Sequence, residues 1–285
     1  MTIIDITEEN AGDYEGVISP EYLENIGRRY YRGIVGSDPE TGGLRAALFW
    51  ELKDAEDEEA DTVSELQYFF AAGEDEGIEL LEEYLKKSAE NNVVVSDFEF
   101  QEMSIEEQTA MERSGFSLST GESRDVFVTV EELAELKIAK KDPPDYIRSL
   151  NDLLPRQFKA GLMRSVFHKR YGLLDDLPFL PITWYMGSIS SCVITDGKVN
   201  GLLLVHKVNS EVYRVELLFA ENPDANINIL NMMRLSIRSA SEYLLPHDKV
   251  ILRRHNQAVR DLVKKLFPDK TGDQVVMGIK EHIMN

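Results

Sequence analysis

The stretch Glu65-Leu-Gln-Tyr-Phe-Phe-Ala-Ala-Gly-Glu-Asp-Glu-Gly-Ile-Glu-Leu-Leu81 decides how this chain is read. Its first part continues an apolar run from Thr62 to Phe70, in which Val63, Leu66, Tyr68 and Phe70 alternate imperfectly, as strand residues do. Gly73 and Gly77 then bracket a loop, and Ile78, Leu81, Leu85 and Ala89 recur at helical spacing to about Glu90. Strand, glycine-flanked acidic loop and helix therefore follow one another directly.

The flanking sequence extends this unit in both directions. Upstream, Ser19-Pro20 offers a cap and a first-turn proline, predicting a helix to about Tyr31. Gly42-Gly43 is a turn, residues 44–53 are an apolar strand, and the nearly all-acidic residues 54–61 read as a hairpin loop. Downstream, Asn91-Asn92 stops the helix and residues 93–100 form a buried strand. Ser104-Ile-Glu-Glu107 starts a capped helix to Arg113, Ser114-Gly-Phe116 ends it, and residues 124–130 form another strand.

The second half repeats the order. One or two helices are expected over 144–171. Residues 191–195 and 198–207 flank the turn Asp196-Gly197, which favours a tight hairpin. A strand over 212–220, a loop from Asn222, a helix over 227–244, a strand over 249–252, a helix over 256–267 and a strand over 273–279 complete the list. The pattern is α+β and occurs twice, without close identity between the halves.

Charge divides the chain in the same way. The 285 residues carry 31 Lys+Arg and 51 Asp+Glu, a net charge of −20. Residues 1–130 hold 9 basic and 32 acidic residues, a net of −23, which leaves 22 and 19, a net of +3, for the rest. The shift falls near Pro143-Pro144, so the expected division is a domain over 1–135, a linker over 136–145 and a domain over 146–285. A net charge of −20 argues against nucleic acid or an anionic membrane as partner. The N-terminus has no basic and apolar leader, no apolar run approaches the ~20 residues of a membrane span, and Cys192 is the lone cysteine; the expectation is a cytoplasmic protein.

The order of elements resembles that of the GNAT (Gcn5-related) N-acyltransferases. Residues 65–81 resemble that family's central strand followed by an Arg/Gln-x-x-Gly-x-Gly/Ala loop and helix. Met111-Glu-Arg-Ser-Gly-Phe116 resembles the helix that ends in Gly-Phe, and residues 250–267 resemble the strand, Asn and terminal helix. The resemblance implies two consecutive GNAT-like domains, each a mixed, mostly antiparallel sheet flanked by helices. It implies acetyl-CoA or another acyl-CoA as cofactor, held by backbone N–H groups at a helix N-terminus. The acceptor would be an amine on a small molecule or a polypeptide, with a homo-oligomer left open.

Placed on that motif, the first half is degenerate: Ala72 takes the Arg/Gln position, Asp75 a required glycine, and Glu74, Asp75 and Glu76 put carboxylates where a pyrophosphate would sit. An acidic helix start favoured by its dipole is the plainer reading. In the second half the matching loop, residues 221–228, has no glycine but is followed by more basic residues, Arg234, Arg238, Arg253 and Arg254. The resemblance therefore assigns cofactor contacts to Phe219, Ala220, Asn226, Asn228, Arg253 and Asn256. It makes Glu216 the strand carboxylate that would act as base, with Glu65 in a similar place in the first half. Glu216 equally reads as the ion-pair partner of Arg214 or of a neighbouring strand. No tyrosine lies on either terminal helix, so Tyr213 or Tyr243 would have to supply the acid.

Elsewhere the sequence offers little chemistry. The five histidines show no metal-ligand spacing, and no metal is expected. There is no G-x-S-x-G and no phosphate-binding Walker loop. Three functional readings stand: an acyl-CoA-dependent N-acyltransferase working from its second half, a catalytically silent GNAT-like module that binds a ligand or protein, or an α+β interaction protein of another kind.

Overall fold

The computed structural model describes residues 1–54, 61–169, 176–221, 223–254 and 257–282, so the acidic hairpin tip falls outside the described residues. The strands are β1 (Thr2–Asp5), β2 (Tyr31–Ser37), β3 (Leu44–Asp54), β4 (Thr62–Ala71), β5 (Val93–Phe100), β6 (Ser117–Glu122), β7 (Asp125–Thr129), β8 (Ile147–Ser149), β9 (Ser191–Thr195), β10 (Lys198–Lys207), β11 (Val212–Ala220), β12 (Lys249–Arg253) and β13 (Gln274–Glu281). The helices are α1 (Pro20–Leu23), α2 (Glu74–Glu90), α3 (Ile105–Arg113), α4 (Val130–Glu135), α5 (Pro155–Lys169), α6 (Ala225–Tyr243) and α7 (Gln257–Leu266).

Two sheets result, ordered β1-β2-β3-β4-β5-β13-β6 and β7-β12-β11-β10-β9-β8. In each, one pair is parallel, β4 with β5 and β11 with β12, and the others are antiparallel. The chain divides into two units, Met1–Ser123 with Gly172–Asp176 and Asp273–Asn285, and Arg124–Tyr171 with Leu177–Gly272. This differs from a contiguous division at 136–145. Residues 136–145 lie inside the second unit, where Leu136, Ile138 and Ala139 pack on its core. The last strand of the chain belongs to the first sheet, antiparallel to β5, while β7 takes the corresponding place beside β12 in the second. The composition shift marks charge, whereas strand pairing marks the unit.

In the first unit, α2 turns Leu80, Leu81 and Tyr84 onto one face of the sheet, against Leu48, Leu66 and Phe98, all nearly inaccessible. Each such side chain contributes about 1.5–3 kcal/mol on burial. The opposite face packs Ile6, Ile18, Leu23, Val35 and Phe49. The helix expected to reach Tyr31 stops at Leu23, Gly27 turns at a φ of 98°, and Tyr31 already begins β2. In the second unit, Met232, Met233 and Ile237 of α6 cover one sheet face together with α4 and α7, and Phe158 and Leu162 of α5 cover the other. No helix among the described residues is long and apolar enough to cross a membrane.

Candidate active site

Both parallel pairs open. The β4–β5 ladder ends at Leu66/Phe98, while β4 runs on to Ala71. The β11–β12 ladder ends at Arg214/Ile251, while β11 runs on to Ala220. Beyond those rungs the strands part, and a helix follows the longer strand in each case, α2 or α6.

A bulge marks each opening. Against β3, Tyr68 and Leu66 are paired in succession, which leaves Gln67 over; against β10, Leu217 and Val215 are paired, which leaves Glu216 over. One extra residue reverses the alternation of faces. In β11, Tyr213 and Val215 join the core under α6 before the bulge, and Leu218 and Ala220 do so after it. In β4, Leu66 joins the core under α2 before the bulge, and Phe69 and Ala71 after it. The counterpart of Glu216 is therefore Gln67, in place of the expected Glu65. Glu65 sits in the regular ladder opposite Glu51 and is held by Lys53 at 2.5 Å.

The opening in the first unit is filled by the chain itself. The Ala71 N–H donates to Glu107 Oε1 at 3.3 Å, while Glu107 Oε2 accepts the Ser104 N–H at 2.8 Å in the capping box of α3. At the start of α2, Glu74 pairs with Arg113 and Glu76 with Arg45. Gly77 is there for packing: a Cβ would stand 2.8 Å from Ala110 Cβ and 3.2 Å from Ala71 Cβ. The guanidinium of Arg45 holds the Glu76 carboxyl below its ordinary range.

The second unit is different. Glu216 is half-buried and has no hydrogen bond or ion pair among the described residues; the pairing with Arg214 is not made. Tyr213 is 4% exposed, one residue below the last rung and on the α6 face. Burial, and then Asp248, push its phenol above the ordinary value. Phe219 is buried on the α5 face and Ala220 on the α6 face. Asn226 is exposed and Asn228 half-buried in the first turn of α6, whose N-cap Asp224 makes no side-chain cap. The loop carboxylate of Glu221 lies 4.0 Å from Arg164. Arg253 is on the other arm of the opening, its Nε 3.9 Å from Asp125. Asn256 lies outside the described residues. Arg238 is tied to Asp142 at 2.7 Å, and Tyr243 is exposed near the far end of α6. Among the described residues no group of three His, Cys, Asp or Glu could hold a metal ion.

Neither a protein-family model nor a curated protein matches the chain. Solved structures do. A tandem GNAT protein from the clavulanic acid biosynthesis pathway, 10% identical, superposes with a TM-score of 0.59 over 100% of this chain and 99% of that one. A conserved protein of unknown function from Enterococcus faecalis, described as a probable N-acyltransferase, is 12% identical with a TM-score of 0.56 over 98% of this chain and 72% of that one. A GCN5-related N-acetyltransferase from Kribbella flavida is 10% identical with a TM-score of 0.51 over 84% and 87%. The likeness is one of fold: the chain resembles a tandem of two GNAT-like units.

Proposed function

We propose that the chain is an acyl-CoA-dependent N-acyltransferase whose active site is the β11–β12 opening of the second unit. One observation carries this reading: Glu216, raised out of the ladder by a bulge beside the splayed strands, keeps a carboxylate with no ion-pair partner among the described residues. Its counterpart position in the first unit holds a glutamine, and the opening there is occupied by Glu107.

The described residues fit an acyl-CoA in two respects: the slot lies between parting strands, and the first turn of α6 lacks a side-chain cap. When bound, the cofactor supplies an activated acyl thioester. The first-turn N–H groups of α6, with Asn226 and Asn228, would hold its phosphate oxygens. The Phe219–Ala220 segment of β11 and Arg253 of β12 flank the slot. Glu216 removes a proton from the acceptor ammonium, exposing the lone pair that attacks. Tyr213, kept protonated by burial, holds the proton that a leaving thiolate needs. The acceptor would be the amine of a small molecule or a polypeptide.

Isothermal calorimetry of acetyl-CoA against the intact protein tests this. Micromolar affinity, about −8 kcal/mol, followed by acetyl transfer to an amine panel, supports the proposal. A folded protein that gives no heat up to about millimolar cofactor overturns it. The second reading, a catalytically silent binding module, is favoured by one feature: the α6 loop has no glycine and carries Glu221 and Asp224 near the phosphate position.

A further inference from the structure

The last rung before the second unit opens is Arg214, paired with His206 on one side and Ile251 on the other. Tyr213, Val215, Val205 and Val250 all turn to the α6 face, so Arg214, His206 and Ile251 turn to the opposite face. The floor of the slot therefore presents Arg214 and His206 side by side, away from the helix whose N-terminus would take the phosphates.

Both side chains have unused capacity. Arg214 Nε is buried without a hydrogen-bond partner, and the guanidinium makes no ion pair among the described residues, although Glu216 is two positions away. A buried guanidinium donor without an acceptor is costly unless a ligand supplies one. His206 is fixed on two sides: its ring stacks on Trp184 at 4.4 Å with planes 3° apart, and its Nδ1 lies 2.9 Å from the Trp184 carbonyl oxygen. A carbonyl oxygen only accepts, so Nδ1 carries a proton, and the acceptor site of the imidazole tautomer this selects is Nε2. Trp184 is itself held in place, because Tyr185 bridges to His206 and the Met186 N–H donates to the Val205 carbonyl at 2.8 Å.

A fixed cation beside a fixed lone pair complements a molecule that carries a carboxylate and an amine. Resting on the acyltransferase reading, we propose that the acceptor is an amino acid or a similar carboxylate-bearing amine: Arg214 grips its carboxylate, and His206 Nε2 accepts an N–H from its amine. The amine nitrogen is then offered to the slot from the face opposite the cofactor, with Glu216 two residues along the strand.

The test uses the intact chain and two readouts. Calorimetry without any acyl donor compares the twenty amino acids, β-alanine and γ-aminobutyrate with their carboxamides and with the matching carboxylic acids that lack the amine. At least one amino acid is expected to bind about 10–100-fold more tightly than its carboxamide. Arg214→Gln removes that difference, and Arg214→Lys keeps part of it and serves as the readout if the glutamine variant does not fold. His206→Gln weakens the amino acid but not the amine-free acid. Acetyl transfer to the same panel is the second readout. Transfer that ignores the carboxylate overturns this inference and leaves the acyltransferase reading standing. Arg214-dependent binding without transfer upholds a carboxylate-and-amine binding site at Arg214 and His206 but overturns both its role as an acceptor site and the acyltransferase reading. No heat and no transfer from any panel member overturns the inference, and acetyl-CoA binding then decides the reading separately.

Discussion

Glu216 and Gln67 occupy the same place in two sheets: each is the one residue left over where its strand bulges, just beyond the point at which the neighbouring parallel ladder ends. The two units share the scaffold of a site and differ in the group mounted on it. A carboxylate can take a proton from an ammonium, and an amide cannot.

Replacing that carboxylate isolates its role. Glu216→Gln should lower kcat/KM by about 10²–10⁴-fold while leaving the acetyl-CoA dissociation constant and the thermal midpoint unchanged, because the side chain has no partner to lose among the described residues. Steady-state kinetics beside calorimetry checks this; an active variant would remove Glu216 from the mechanism.

Glu107 serves the fold. Its two oxygens accept N–H groups from Ser104 and Ala71, one capping α3 and the other holding the parted end of β4. Glu107→Ala removes the cap and orphans both donors, which should cost about 1–3 kcal/mol of stability. Urea denaturation measures it. A neutral substitution would show that water replaces the carboxylate at both sites.

Cys192 should be chemically silent. It is fully buried between β8 and β10, and burial first, then Asp152, push its thiol up to about 12. At pH 8 about one thiol in 10⁴ is then ionised. Labelling with a thiol reagent should follow unfolding, with the native protein unreactive over hours; rapid labelling of the native chain would contradict the buried position.

His282 should make stability depend on pH. Its Nε2 lies 2.7 Å from Ser96 Oγ, which joins Tyr84 and Ser64 in a buried hydroxyl chain. Burial, and then Lys280, hold the imidazole below its ordinary value of 6.5. The unfolded chain therefore binds the proton first as pH falls. Stability is complete above about 6.5 and declines as pH drops from there toward the folded-state value. His282→Gln should flatten the thermal midpoint across that interval. Glu51, held low by Lys53 and Arg28 against the opposing effect of burial, loses its contribution only below the ordinary carboxylate range, so the two windows separate.

The sequence alone determined whatever local chemistry fixes. The periodicity of residues 78–90, the Ser104/Glu107 cap, the Asp196-Gly197 turn and the apolar strands all appear where they were expected, because each depends on residues close together in the chain. The doubled α+β order and the GNAT resemblance followed from those elements. Pairing between distant segments was decided by the tertiary structure. The short strands β1, β2 and β6 and the exchange of β7 and β13 carry no local signal, since a strand's partner is chosen by where its hydrogen bonds and apolar face are best satisfied. The same holds for the site. Glu216 was legible as a carboxylate in an apolar strand. That it is the bulge residue, that Glu65 is not its counterpart, and that Arg214 and His206 stand side by side with no ion pair to a carboxylate among the described residues all depend on register. Register is set by contacts across the sheet, which spacing along one chain does not contain.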